Sequence, residues 1–324
     1  MPVPLVQIRN LTVSYMPEND GVVRALDRVD LDILNGEITG IVGESGSGKS
    51  TLAAALLQLL PPNAECSGSL LVDGENLLAA GEAELRRIRG TKTALIPQDP
   101  AMSLNPVIRV GDQVSEVLRA HSKLTRKQRK QRVQELLAEV GFVDVKRISD
   151  SYPHQLSGGQ RQRIVIAQAI ACHPGLIVAD EPTSKLDSEL QGQIMELLRE
   201  IVRCHANALL LITHDPTILA GFADRIVVMY AGRIAEQGPA KDILRRPLHP
   251  YTRALIGLTE VRTDGVRVIR FPFIPGEVPD PAHFNQGCRF EPRCLERMEL
   301  CAARHPQSFS PESFRLVSCF KYGE

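Results

Sequence analysis

The sequence carries no net charge, no long apolar run and no C-x2-C pair of cysteines, and each absence weighs against a class of function. Lysine plus arginine and aspartate plus glutamate both number 38 in 324 residues. No global field therefore draws the chain toward nucleic acid or anionic lipid. No uninterrupted apolar stretch approaches the roughly 20 residues that a membrane-spanning helix needs. The opening Met1-Pro2-Val3-Pro4-Leu5-Val6-Gln7-Ile8-Arg9 lacks a basic segment followed by an apolar core, so it does not read as a secretory signal. The expectation is a soluble, cytosolic chain whose role at any membrane would require partner chains. The seven cysteines include no C-x2-C spacing, the commonest mark of a zinc site. No internal repeat is visible, and the length allows one large or two moderate domains with ample core.

What is present is an α/β rhythm. Alternation over residues 3–15 and 22–35 (Val6, Ile8, Leu11, Val13, Tyr15; then Val23, Ala25, Val29, Leu31, Ile33) predicts antiparallel strands. A short apolar strand from Glu37 to Val42 and an Ala/Leu-rich helix from Ser50 to Leu60 follow. After Pro100 the pattern turns helical and charged, through Val114 to His121 and Thr125 to Val140, which predicts a helical subdomain over about residues 100–162. From Arg163 the chain reads as helix to Cys172, strand Leu176 to Asp180, helix Ser188 to Cys204, strand Ala208 to Thr213 and a final strand Arg225 to Tyr230. Near His249 the periodicity fades into a proline-rich tail.

Three motifs carry the chemistry. Gly43-Glu44-Ser45-Gly46-Ser47-Gly48-Lys49-Ser50 matches G-x4-G-K-S/T at every fixed position, between a strand and a helix, with Thr51 next in line. Its glycines let backbone N–H groups turn toward phosphates, the helix N-terminus adds a positive dipole end, and Lys49 adds a full charge. Ser50 would offer its hydroxyl to Mg²⁺. The second motif, Leu176-Ile177-Val178-Ala179-Asp180-Glu181, delivers carboxylates at the end of a buried strand, where open α/β sheets bind ligands. Asp180 suits the Mg²⁺, and Glu181 suits the attacking water as a base. The third is Leu156-Ser157-Gly158-Gly159-Gln160, with Arg161-Gln162-Arg163 behind it, where a helix should begin.

In this order the motifs resemble the ATP-binding subunits of ABC transporters, over roughly residues 3–258. The resemblance implies a P-loop NTPase core with an antiparallel β subdomain and a helical subdomain, ATP hydrolysis, and ATP with Mg²⁺ as bound species. It implies that Ser157, Gly158, Gly159 and Gln160 bind the γ-phosphate of ATP held by an opposite subunit. Gln98 corresponds to the loop glutamine that contacts Mg²⁺ or the nucleophilic water, and His214 to the switch histidine. Asp187, in Ser184-Lys185-Leu186-Asp187, corresponds to the residue linking the two sites; relatives more often carry alanine where Lys185 stands. Tyr15 stands where the family stacks adenine.

One set of motifs per chain implies a second ATPase chain, a copy or a paralogue. His249-Pro250-Tyr251-Thr252, Ile274 to Pro279, and Gly287-Cys288-Arg289-Phe290-Glu291-Pro292-Arg293-Cys294 resemble the C-terminal extension of oligopeptide and dipeptide importer ATPases. Tyr152-Pro153-His154-Gln155 points the same way. The implied setting is peripheral, on the cytoplasmic face of the membrane, with two permease subunits and an extracytoplasmic solute-binding protein. Peptides are the commonest solute in this group; nickel or a metallophore is the alternative, and a soluble non-transport ABC ATPase a lesser one. The expected layout is an ATP-binding domain over 1–258 and a small irregular Cys-rich extension over 259–324.

Cys288, Cys294, Cys301 and Cys319 fall in that extension, and a reducing cytosol disfavours disulfides. Four thiolates could hold zinc or an iron–sulfur cluster, or stay free. Resemblance to some peptide-importer members favours a 4Fe-4S cluster. The basic run from Ser122 to Arg132 lacks interleaved aromatics and reads as a solvated helix face, with Leu124, Val133, Leu136 and Leu137 turned inward, so nucleic acid is not an expected partner.

Overall fold

The computed structural model describes residues 3–16, 21–205, 207–258, 274–280, 282, 284 and 286–323. The expected start of the extension, 259–273, lies outside the described residues, as do Met1 and Pro2.

Alternation does what it predicts at the start of the chain. The strands Val6–Tyr15 (β1) and Val23–Ile33 (β2) bury Val6, Ile8, Leu11, Val13, Leu26, Val29 and Leu31 on one face and pair antiparallel. After Ile38–Val42 (β3) and the helix Lys49–Leu56 (α1), Ala64–Val72 (β4) pairs with β1 and Glu75–Asn76 (β5) with β4, giving a four-stranded sheet of order β2-β1-β4-β5. α1 stops at Leu56, short of the predicted Leu60: Gln58 takes the left-handed φ of 51° and two prolines follow.

The helix Glu82–Ile88 (α2) and the strand Thr93–Ile96 (β6) lead into Pro100–Ser103 (α3), Val110–His121 (α4), Arg126–Glu139 (α5) and Val145–Asp150 (α6). α5 opens on a capping box between Thr125 and Gln128 and buries Val133, Leu136 and Leu137, leaving Arg126, Lys127 and Lys130 exposed. Gly158–Ile170 (α7) starts at the Ser-Gly-Gly motif, where a helix is expected to begin, because Ser157 and Gln160 form a capping box there. Leu176–Asp180 (β7), Ser188–His205 (α8), Ala208–Thr213 (β8) and Arg225–Tyr230 (β9) follow as expected.

Strands β6, β7, β8, β3 and β9 form the parallel centre of the main sheet. Their near-continuous apolar runs fit burial on both faces. One face packs on α7, α8 and the helical subdomain, through Ile177, Ala179, Ile164, Ile194 and Leu136. The other packs on α1 and the four-stranded sheet, through Leu176, Val178, Leu210, Leu52 and Leu56.

The strand at Arg225 is not the last, and the tail is not irregular throughout. Arg233–Pro239 (β10) pairs antiparallel with β9, and Ala240–Arg245 (α9) and Pro250–Gly257 (α10) follow. Beyond the undescribed stretch, Glu299–Ala303 (α11) precedes a hairpin of Phe309–Glu312 (β11) and Arg315–Val317 (β12). β12 pairs with β10, so the extension adds two strands to the edge of the main sheet. These strands are too short to show a period. What secures them is a buried ion pair: Arg315 donates to Glu236 at 2.6 Å, with both side chains fully buried, and Glu236 also accepts from the Leu248 and His249 amides.

Candidate active site

Strand register gathers the motifs at one edge. Val42 sits opposite Thr213, Asp180 opposite Ile212, and Ile96 opposite Ala179. The loops leaving β3, β6, β7 and β8 therefore emerge side by side, bringing Gly43, Gln98, Glu181 and His214 to the carboxyl end of the sheet.

The phosphate loop is built by close backbone approach. A Cβ at Gly43 would lie 2.2 Å from the Met229 carbonyl, and Gly48, at φ 98°, has the Ala25 carbonyl 2.7 Å from where its Cβ would be. The Lys49 ammonium donates to the carbonyls of Gly43 (2.7 Å) and Glu44 (2.8 Å) and to Ser47 Oγ (3.1 Å). Burial pulls its pKa down, while Glu181, Asp180 and Glu44 oppose that fall. Ser45 and Gly46 are exposed at the loop tip. The half-buried Tyr15 at the end of β1 donates its hydroxyl to Thr51 Oγ1 at 3.4 Å, which puts its ring beside the loop.

Asp180 is hydrogen-bonded by Ser50. Burial pushes its carboxyl up, helped by the Glu181 charge and opposed by Ser50 and Lys49. Glu181 has a left-handed φ of 45°, unusual for a residue with a side chain. That turn carries its carboxylate to the centre of a cluster: Oε1 lies 3.0 Å from His214 Nδ1, and Oε2 accepts from Gln98 Nε2 at 3.0 Å. The three residues expected to be catalytic are thus in direct contact.

The Ser-Gly-Gly motif stands apart from this cluster. Ser157 is exposed at the N-cap of α7, and Gln160 closes the capping box (3.0 and 3.2 Å). Gly159 packs so closely on Leu190 that a Cβ would meet its side chain at 3.2 Å. Asp187 is exposed and caps α8, accepting from the Leu190 amide at 3.0 Å. Lys185, the departure from the usual pattern, forms an ion pair with Asp99, the neighbour of Gln98, and that contact holds the Asp99 pKa down.

In the extension, Cys288, Cys294, Cys301 and Cys319 line one small cavity together with His249 and Phe290. Burial pushes the Cys288 thiol up to about 12 and raises those of Cys294 and Cys319. Among the described residues no group of three or more His, Cys, Asp or Glu side chains is arranged to hold a metal ion, these four cysteines included.

Two contacts to the phosphate loop escaped sequence reasoning. The Glu44 amide donates to the Tyr251 hydroxyl at 2.9 Å, and Arg293 grips the Glu44 carboxylate. Both residues stand in motifs singled out by resemblance, yet nothing in their spacing reveals a partner some 200 residues away.

Comparison with known proteins matches residues 26–184 to the ABC transporter family and 235–301 to the oligopeptide/dipeptide transporter C-terminal region. The oligopeptide transport ATP-binding protein OppD of Escherichia coli is 40% identical over 98% of this chain and 93% of its own. AppD of Bacillus subtilis, also an oligopeptide transport ATP-binding protein, is 38% identical over 99% and 97%. Among solved structures, the dimeric ATP-binding cassette MJ0796 bound to ADP and Pi is similar at TM-score 0.64 and 30% identity, over 72% of this chain and 98% of its own.

Proposed function

The chain belongs to the ABC transporter family, with the C-terminal region of its oligopeptide/dipeptide members, and from that premise we propose how its residues serve an ATPase that energises peptide import. The observation that carries the assignment of roles is the Gln98–Glu181–His214 cluster beside the phosphate loop. Glu181 is the general base for the attacking water; His214 and Gln98 hold it and reach toward the γ-phosphate and its Mg²⁺. Lys49 and the loop amides bind the phosphates, Thr51 and Tyr15 flank them, and Tyr15 stacks the adenine.

Mg²⁺ neutralises phosphate charge when bound. The hydroxyl of Ser50 and the carboxyl of Asp180, already hydrogen-bonded to each other, are the hard oxygen donors suited to it, with Gln98 alongside. Two protein oxygens suffice where phosphates and waters complete the shell.

Ser157, Gly158, Gly159 and Gln160 complete the site of a second ATPase chain, and Asp187 bridges the two. Support comes from the exposure of Ser157 and Asp187, each at a helix N-cap, and from the dimeric assembly of the similar cassette. Permease subunits would dock beside Gln98, where Met102 and Val107 are 85% and 78% exposed and a buried Gln113 pins the segment through Asn105 and Ile108. No helix among the described residues is long and apolar enough to cross a membrane, so attachment to the cytoplasmic face would run through those subunits, with a solute-binding protein outside.

For the four cysteines the reading is an iron–sulfur cluster, and what supports it is that all four line one cavity. The cluster would staple together the segments that carry them.

The test is to purify the tagged chain from membranes. Two polytopic permease chains should come with it, and peptide delivered by the binding protein should stimulate ATP hydrolysis. Hydrolysis indifferent to peptide but dependent on nickel or a metallophore would replace the solute; purification without any membrane chain would overturn the transport role.

A further inference from the structure

The phosphate loop is held from outside by α10 and the extension. Glu44, its second residue, is engaged at both ends: its amide by the Tyr251 hydroxyl of α10, and its carboxylate by the two Arg293 Nη atoms at 2.7 and 3.1 Å. Arg293 is 4% exposed at the side chain and lies next to Cys294. All five guanidinium donors are used: Nε on the Pro275 carbonyl, Nη1 on Glu44 and the Tyr230 hydroxyl, Nη2 on Glu44 and the Ile274 carbonyl. The rings of Tyr230, Tyr251 and Phe290 pack at centroid distances of 4.5 to 5.4 Å and fix the base of this clamp.

We infer that Arg293 is a positioning residue for the ATP site, neutralising and immobilising the Glu44 carboxylate so that the phosphate loop can accept a polyanion. The extension then becomes a working part of the nucleotide site rather than an appendage. The inference rests on the ATP-binding reading of Gly43–Ser50 given above. Its physical basis is charge. A carboxylate in a loop whose amides and lysine attract phosphate would repel ATP if unpaired. Glu44 is close enough to Lys49 to act on the ammonium, so it is close enough to act on what the ammonium binds. Arg293 is buried with all its donors taken by protein, so it cancels the charge without competing for the ligand.

A charge-rescue cycle on the full chain separates this from simple packing. The dissociation constant for ATP–Mg²⁺ is measured by equilibrium titration for the wild type, R293M, E44Q/R293M and R293K. R293M should bind about tenfold more weakly, equivalent to ~1.4 kcal/mol. E44Q/R293M, lacking the carboxylate, should return to within about threefold of wild type, and R293K should keep most of the affinity. An R293M affinity equal to wild type, or a double variant as weak as R293M, overturns the inference. Should R293M fail to fold, because a partly buried carboxylate is left unpaired, the double variant and R293K carry the test. Insolubility of the double variant as well would mark Arg293 as structural only and overturn the inference too. A wild-type chain that does not bind ATP would instead refute the underlying reading.

Discussion

Replacing Glu181 by glutamine isolates chemistry from architecture at this site. The carboxylate takes two contacts, His214 at Oε1 and Gln98 at Oε2, both at 3.0 Å. A glutamine is the same size, leaves the φ of 45° untouched and can satisfy both neighbours, its oxygen accepting from Gln98 and its amide donating to an unprotonated His214 Nδ1. Fold stability should therefore stay within about 0.5 kcal/mol of wild type. The amide cannot take a proton from water, so the general-base contribution of about 10²- to 10⁴-fold is lost. That corresponds to roughly 2.7–5.4 kcal/mol on the barrier. The assay is peptide-stimulated ATP hydrolysis by the reconstituted complex, alongside ATP affinity and the amount of ATP-bound dimer. The expected result is turnover down at least a hundredfold, affinity within about threefold, and an ATP-bound dimer that accumulates. Turnover within threefold of wild type would remove Glu181 from the role of base, whatever its contacts.

Three further predictions bear on other parts of the molecule. Gly48→Ala forces a Cβ to 2.7 Å from the Ala25 carbonyl at a φ of 98°, and should cost about 1–3 kcal/mol in urea unfolding and abolish tight ATP binding; a variant that binds normally would show that the loop has other room. Lys185→Ala removes a surface ion pair with Asp99, so stability should change by less than about 1 kcal/mol while the ratio of peptide-stimulated to basal ATPase falls at least twofold. An unchanged ratio would reduce the pair to surface decoration. Arg315→Ala leaves Glu236 buried without its cation and should destabilise by about 3–5 kcal/mol in denaturant unfolding; a loss below 1 kcal/mol would mean that the extension is not anchored by this pair.

The site was legible in the sequence because its parts lie at strand ends, where motif and period reinforce each other. Lys49 and Ser50 follow β3, Asp180 and Glu181 end β7, and His214 follows β8, so locating the strands located the residues. Gln98 was legible through its motif alone, since the four-residue β6 before it is too short to declare a period. β4 escaped for a different reason: of its nine residues only Leu70 and Val72 are buried, and the small and polar run Ala64–Ser69 masks the alternation. The extension was the least legible part. Its strands β11 and β12 are held at the sheet by Arg315 reaching Glu236, and its cysteine-bearing segment is held at the phosphate loop by Arg293 reaching Glu44, pairs 79 and 249 residues apart in sequence. Hydrophobic pattern reports burial of apolar surface. It does not report which arginine will be desolvated against which carboxylate.

On the roles proposed above, Lys185 links the half-site assigned to a second chain with the site this chain keeps. Gly159 and Gly158 of the Ser-Gly-Gly motif lie against Leu190 and Leu186, and Leu186 stands between Lys185 and Asp187. The exposed N-caps Ser157 and Asp187 therefore belong to one packed unit, which cannot shift by a turn without opening the glycine contacts. Through Lys185 that unit is tied to Asp99, and Asp99 caps α3 at the residue following Gln98, whose amide rests on Glu181. On the proposed roles, a partner's nucleotide drawn onto Ser157 would pull on the same segment that positions Gln98 over this chain's own base. An alanine at 185 keeps the leucine packing and breaks only the last link. Loss of coupling in that variant with intact dimerisation would therefore assign communication to the ion pair, and loss of both would assign it to the packing.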